Sequence, residues 1–321
     1  MFILKGKIQI GELVFHSING VEITKSVEDL ADMAVIRLPA KFRIRQNGVE
    51  KFTEETVKAG DKVIITLGYE DKYEGVEFTG FVASVGSKIP IEIKCEDAMW
   101  LLRRKNINKA FGKTTLKTIL KEITAGTGIG LSGRIDDFEV DSWIAKNVNG
   151  AKALQDIKDN LMLSVYLDDE GKLYAGLQQL NNIAQQAVYD LNYNIVDNNL
   201  EYKAKEDRRI RVKYTYIDRK NHRTSVEAGD ADGETRTFHT SVVSSEKQLK
   251  AAAQAELEKL KYDGFSGSVK SFLIPFATRG MAAVIKDSEH VNREGKYFIN
   301  KVTTSFGTDG ARREVHISNK L

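Results

Sequence analysis

The sequence predicts a mainly β protein with an α+β insertion, and three observations carry that prediction. Residues 1–97 and 201–321 are built of short runs that alternate apolar and polar side chains, the period of a half-buried strand. Residues 98–200 switch to apolar spacings of three and four, the period of a helix packed on one face. A hairpin-like stretch near one end recurs near the other at a fixed offset. These divide the 321 residues into three units, each near the ~100–150 residues of an ordinary domain.

In the first unit the strands are "KGKIQIGELVF", "ADMAVIRLP", "DKVIITLGY", "VEFTGFVASV" and "IPIEIKCED", with Gly, Asn or Pro between them. Several short strands without an intervening helix fit a small barrel or sandwich. Cys95 falls in phase with Ile91 and Ile93, which makes it a small core hydrophobe, with no histidine near it in sequence to activate a thiol. In the second unit "TTLKTILKEITAGTG" spaces Leu116, Ile119, Leu120 and Ile123 as one helical face and stops at Gly126 and Gly128. "GAKALQDIKDNLMLSVYLDDEGKLYAGL" repeats the plan: a helix with Leu154, Ile157 and Leu161, a strand, a "DDEG" turn and another strand. The Asn/Gln-rich "LQQLNNIAQQAVYDLNYNIVDNNL" carries a strand and the crossing into the third unit.

The third unit returns to strands at "RRIRVKYTYI", "GETRTFHTSV", "GSVKSFLIP", "MAAVIKD", "GKYFINKVTTSF" and "ARREVHIS". One helix interrupts them, "SSEKQLKAAAQAELEKLKY", with Ser245 as its cap, Glu246 in its first turn and lysines towards its end. Its Leu249, Ala253, Leu257 and Leu260 form a face for a sheet or a partner.

The recurrent stretch is "AGDKVIITLGYEDKYEGVEFTGFVASV" at 59–85, which lies over "RGMAAVIKDSEHVNREGKYFINKVTTSF" at 279–306 without a gap at an offset of 220. Gly60, Gly75, Phe78 and Val82 meet Gly280, Gly295, Phe298 and Val302, and Ile65 and Glu74 meet Ile285 and Glu294. Phe78 and Val82, four apart, share one face of a strand, as do Phe298 and Val302. Glycines at both ends of loops of equal length point to an internal duplication.

"AGDKVIITLGY", then "FTGFVASV" and "IEIKCEDAMWLL", resembles the first barrel of phage tail hub proteins, the late control protein D group. Relatives of that group include the N-terminal parts of VgrG proteins of type VI secretion. "RVKYTYID", "LKAAAQAELEKL", "GMAAVIKD" and "GKYFINKVTTSFGTDGARREVHI" are similar to the family's second barrel, so the likeness runs along nearly the whole chain. The resemblance implies two related, tube-like β-barrels, 1–97 and 201–321, flanking the α+β module at 98–200. It also implies a homotrimer whose six barrels imitate the six-fold tail tube while the trimer offers three-fold symmetry to a central spike. The partners it implies are further copies of the chain, a tail spike, the tail tube and other baseplate proteins, in a virion tail assembled in the host cytoplasm. VgrG-type chains continue into a spike whereas this sequence stops at Leu321, so the spike is expected on a separate polypeptide.

Composition agrees with a structural role. Basic and acidic residues nearly balance, 48 against 45, so bulk attraction to nucleic acid or anionic lipid is not expected. Three prolines and no Ser/Gly-rich tract argue against a long disordered linker. The single cysteine excludes an internal disulfide and a multi-thiolate metal site. "MFILKGKIQIGELVF" has only a short apolar start, and no run approaches the ~18 apolar residues of a membrane span, so no anchor is expected.

Enzyme motifs are not visible. His16, His222, His239, His290 and His316 are scattered, without metal-ligand spacing, and no cofactor is expected. The acidic pairs Glu54–Glu55, Asp136–Asp137 and Asp168–Asp169 read as solvated turns, although a cell-wall hydrolase centred on the module would need two carboxylates across a cleft. "GTGIG" at 126–130 follows a helix instead of a strand, the reverse of a dinucleotide-binding order. "KAKEDRRIRVKY" at 203–214 is the most basic stretch and is the basis for a third reading, a β-barrel that binds nucleic acid; Glu206 and Asp207 interrupt it.

Overall fold

Period-two alternation lays down nine strands in the first unit of this computed structural model, which describes residues 2–321 except 45–47, 136, 138, 141, 162, 177–184, 218–222, 241–245 and 292–293, and only the backbone of 217, 239, 240 and 248. Ser245, Asp136 and His222 lie outside the described residues, as does the side chain of His239. The strands are β1 (Leu4–Ile10), β2 (Leu13–Phe15), β3 (Gly20–Ser26), β4 (Met33–Leu38), β5 (Lys41–Arg43), β6 (Glu50–Phe52), β7 (Lys62–Tyr69), β8 (Tyr73–Val85) and β9 (Ile91–Glu96), with a short helix α1 (Thr53–Thr56) before β7. In β4 the set Ala34, Ile36 and Leu38 is buried and Val35 and Arg37 are half-buried; in β9 Ile91, Ile93 and Cys95 face inward. Cys95 is fully buried, and that burial pushes its thiol up to about 12, so it behaves as core.

The module contains α2 (Met99–Arg104), β10 (Asn106–Phe111), β11 (Thr114–Thr115), α3 (Leu116–Thr124), β12 (Glu139–Val140), β13 (Trp143–Asn149), α4 (Gly150–Leu161), β14 (Ser164–Leu167) and β15 (Leu173–Gly176). Asn149 Oδ1 accepts the N–H of Lys152 at 2.8 Å and so caps the start of α4. α3 ends where Gly126 and Gly128 take φ of +76° and +78°. The faces predicted for α3 and α4, Leu116, Ile119, Leu120, Ile123, Leu154 and Ile157, share one core with the β14–β15 hairpin.

β16 (Gln186–Asp190) and β17 (Ile195–Lys203) start before residue 201 but pair with strands of the third unit, which comprises β18 (Ile210–Ile217), β19 (Arg223–Gly229), β20 (Glu234–Thr240), α5 (Glu246–Leu260), β21 (Gly264–Ser271), β22 (Ala282–Lys286), β23 (Gly295–Gly307) and β24 (Gly310–Lys320). β18, β19 and β20 form a sheet of their own. α5 lies on it and buries Leu249 and Ala253 against Val212, Tyr214 and Val226.

Thirteen strands make one sheet in the order β17-β21-β24-β23-β3-β4-β9-β8-β7-β1-β2, with β22 beside β23 and β16 parallel to β22. This corrects the expectation of two barrels: the path is open at β17 and at β2, and no pairing among the described residues closes it. The physical reason lies at β3. The edge that closure within 1–97 would have used pairs instead with β23, from Lys301↔Ser26 to Gly307↔Gly20. The hydrogen-bonding capacity of one half is spent on the other, and the fold is mainly β with an α+β insertion, without barrels.

Two glycines separate backbone strain from crowding. Gly60 has φ +96° and an added Cβ would lie 3.0 Å from the Trp100 ring, whereas Gly280 has φ +82° with nothing nearer than 3.6 Å. Both alanine variants should lose about 1 kcal/mol to the unfavourable backbone. In urea denaturation Gly60→Ala should cost more than Gly280→Ala; equal losses would show that Trp100 yields freely.

Candidate functional site at the junction of module and sheet

Three parts of the chain converge on one arginine. Arg279, just ahead of β22, has a side chain only 2% exposed. Its Nη2 lies 2.8 Å from Asp32 Oδ2 in the β3–β4 turn, and its Nη1 donates to Asp169 Oδ1 at 3.0 Å in the β14–β15 turn. Nη2 also donates to the Leu167 carbonyl, and the Tyr166 ring lies 5.2 Å from the guanidinium carbon. Lys25 of β3 and the Thr278 hydroxyl each reach Asp169 Oδ1 at 3.3 Å. The "LDDEG" turn, expected to be solvated, thus supplies the carboxylate that fastens the module to the sheet.

Asp97 extends the cluster. Its Oδ2 accepts the N–H of Asp32 and its Oδ1 the N–H of Met99, each at 2.8 Å, which ties the β3–β4 turn to the start of α2. Burial pushes the Asp32 carboxyl up to about 6 against the pull of Arg279. Burial, with the Asp32 charge adding to it, pushes Asp97 up to about 7. At Asp169 burial works upward too, but Lys25 and Arg279 outweigh it and hold that carboxyl low. A second buried pair, Arg313 of β24 with Glu77 of β8 at 2.5 Å, crosses the interior of the sheet. The same guanidinium donates to the Leu273 and Pro275 carbonyls at 2.8 and 3.2 Å, and Tyr73 Oη donates to Glu77 at 2.7 Å.

Clefts of about 610 and 410 Å³ flank Arg279. Their charges are spent on each other: Arg134 lies 3.8 Å from Asp168, and Lys172 lies 2.6 Å from Glu170. Among the described residues no group of three or more His, Cys, Asp or Glu is placed to hold a metal ion. The arrangement can clamp and position; its carboxylates are bound to cations and backbone amides. Several cations of the basic stretch are likewise paired, through Lys203–Glu201 at 2.7 Å, Arg209–Asp232 at 2.7 Å and Lys213–Glu227 at 3.1 Å.

The matched residues of the recurrent stretch fall in different cores. Phe78 and Val82 belong to the first-unit core, Phe298 to the module core and Val302 to the core of the third unit. Gly60 and Gly280 both take positive φ, but Gly60 N–H donates to Val82 O and Gly280 N–H to Ile299 O, each at 2.8 Å. Gly75 pairs with Leu67 and Gly295 with Ile285, so β22 sits on β23 in a different register from β7 on β8. On the opposite side of the same two strands the offset of 220 is kept: Val82↔Cys95 answers Val302↔Val315, and Phe81↔Glu96 answers Lys301↔His316. Following cross-strand partners outward gives two matching rows. One runs Val82–Cys95–Ala34–Ile23 through β8, β9, β4 and β3, and the other Val302–Val315–Val269–Asn198 through β23, β24, β21 and β17.

Sequence reasoning missed Arg279, Asp32, Asp97, Glu77 and Arg313. The only local signal was an arginine at the head of the recurrent stretch; the burial of a charge is fixed by partners far away in the chain.

No family model matches the sequence, and no curated protein matches it. Solved structures do. The fold is similar to the prophage MuSo2 43 kDa tail protein from Shewanella oneidensis, at 14% identity over 98% of both chains with a TM-score of 0.68. It is similar to a tail protein from Neisseria meningitidis MC58, at 12% identity over 99% of this chain and 97% of that one, with a TM-score of 0.69. A component of the type VI secretion system of E. coli, itself similar to the T4 bacteriophage tail proteins gp27 and gp5, matches at 10% identity over 98% of this chain and 77% of that one, with a TM-score of 0.60. At such identities the likeness establishes the fold, which is shared with these phage tail proteins and with a component of a type VI secretion system.

Arg279→Ala would leave Asp32 and Asp169 without their buried partner, and is expected to lower the unfolding free energy by about 3–5 kcal/mol. Asp169→Asn, at a side chain 46% exposed, should cost less. Chemical denaturation measures both. Because Asp32 and Asp97 ionise late in the folded chain, the folded state holds more protons than the unfolded state between about pH 4 and 7. Their contribution to stability is therefore lost as pH rises through that window. The melting temperature, corrected for the opposite contributions of Asp169 at the acid end and of His316, whose burial lowers its ring, should fall from about pH 5 to pH 8, and Asp97→Asn should flatten the fall.

Proposed function

We propose that this chain is a structural hub of a phage or prophage tail, or of a related contractile injection device, and that three copies form a ring joining a six-fold tail tube to a three-fold central spike. The observation that carries the reading is a solved tail protein matching at full length, 98% of each chain, so that the whole chain and not one part has a tail-protein fold. The doubled four-strand rows support the ring: a chain that carries the same strand order twice can present, as a trimer, six similar surfaces to a six-fold partner. In this reading 1–97 and 201–321 are the two halves that face the tube. The module at 98–200, clamped by Arg279, holds them at a fixed relation. The partners are further copies of the chain, a spike polypeptide, the tube and neighbouring baseplate proteins, and the chain performs no catalysis and binds no specific nucleic acid.

Light scattering on the purified chain tests the assembly. A mass three times that of the chain is expected, and a monomer at every concentration reached would overturn the trimer. Clearing of peptidoglycan in a zymogram would overturn the non-enzymatic role in favour of a wall hydrolase.

A further inference from the structure

The β3–β4 turn is the piece of the first unit that seals the module. It carries Val27 and Ala31 into the module core, with Leu30 packed against it. At its head Val27 N–H donates to the Asn300 carbonyl at 3.0 Å, and the Lys158 ammonium of α4 donates to the Glu28 carbonyl. At its tail the tie to the start of α2 is reciprocal. Asp97 N–H donates to the Asp32 carbonyl at 3.1 Å, and Asp32 N–H donates to Asp97 Oδ2 at 2.8 Å. Glu28 and Asp29 in the turn are exposed, whereas Asp32 and Asp97 are each only 6% exposed.

Charge does not balance at that tail. Asp32, Asp97 and Asp169 meet two cations, Arg279 and Lys25. The other charges around it have partners of their own. Glu96 beside Asp97 pairs with Arg103 at 2.6 Å, and Glu77 of β8 pairs with Arg313. Asp168 and Glu170 of the β14–β15 turn pair with Arg134 and Lys172. Lys62, which lines the smaller cleft, is exposed, and Tyr166 stays neutral because burial pushes its hydroxyl up to about 12. Asp32 gives Oδ2 to Arg279, but its Oδ1 is buried with no hydrogen-bond partner among the described residues. An oxygen so placed is costly as part of an anion. One proton on the pair cancels the surplus charge.

We propose that Asp32 and Asp97 share one proton that latches the β3–β4 turn onto the module, and that its release loosens the turn and unseals the module core. Burial pushes the two carboxyls up, to about 6 and about 7, so the proton is held in mildly acid solution and given up towards alkali. A turn swung into water returns both groups to the ordinary carboxylate range near 4, so opening releases the proton. Opening therefore becomes easier by up to about tenfold per pH unit between about pH 5 and 7, and levels off above that range. The junction is thus tight in acid and loose in alkali, and the hold of the module on the sheet follows the pH.

Hydrogen–deuterium exchange on the full chain, corrected for the intrinsic pH dependence of amide exchange, tests this. Segments 27–33 and 97–99 are expected to be less protected than the β3–β23 ladder at every pH, and to lose about tenfold in protection from about pH 5.5 to about pH 6.5. Protection there that ignores pH would overturn the latch. So would protection equal to that of the ladder, which marks exchange through global unfolding alone. Asp97→Asn should remove the dependence and keep both segments protected at about pH 8; continued loss with pH in that variant would overturn the assignment to the pair. Lys25→Gln takes away a cation, so the loss should move to higher pH; a loss at unchanged pH would overturn the charge count even if Asp97→Asn fails to fold. His316 on β24, whose ring burial holds below the usual histidine value, is the control. His316→Gln should leave the dependence in place, and its disappearance there would overturn the role of Asp32 and Asp97.

Discussion

The fold depends on one antiparallel contact, the pairing of β3 with β23. Both strands belong to sheets that a smaller protein would have to close or cover, because an open edge leaves a row of backbone donors and acceptors unpaired. Joining the first strand of one half to the last strand of the other satisfies both rows at once and makes a single sheet from sequence that is far apart. It also commits the molecule to openness, since a strand has two edges and β3 gives its second to β4. The remaining capacity is displaced to the outer strands, where β17 is paired on one side only among the described residues.

The buried charges lie where the three units meet. Arg279 comes from the third unit, Asp32 from the first and Asp169 from the module, so the guanidinium spans all three. Glu77 and Arg313 join two of them, the first and the third, from β8 to β24. Buried ion pairs contribute little net stability over a well-packed apolar core, because desolvation offsets most of the attraction. They do penalise any arrangement that separates the partners.

The strand order is doubled, and the two halves differ in their attachments, with β7 on β1 in one and β22 on β16 in the other. The core contacts differ accordingly: Phe78 stays in its own half while Phe298 packs into the module. The offset of 220 holds on one side of β8 and β23 and slips on the other.

The elements themselves were legible without coordinates. The alternation of Ile91, Ile93 and Cys95, the helical faces of α3 and α4, and the stops at Gly126 and Gly128 are set by backbone geometry within a few residues, so the local sequence determined them. The recurrence at a fixed offset was legible for the same reason. Only the tertiary structure decided that β3 takes β23 and closes no barrel, that β18, β19 and β20 form a separate sheet, and that Arg279 is buried between Asp32 and Asp169. Strand edges present the same donors and acceptors whatever their side chains, and a buried charge is defined by partners brought from distant segments. Neither is written in any local window of the chain.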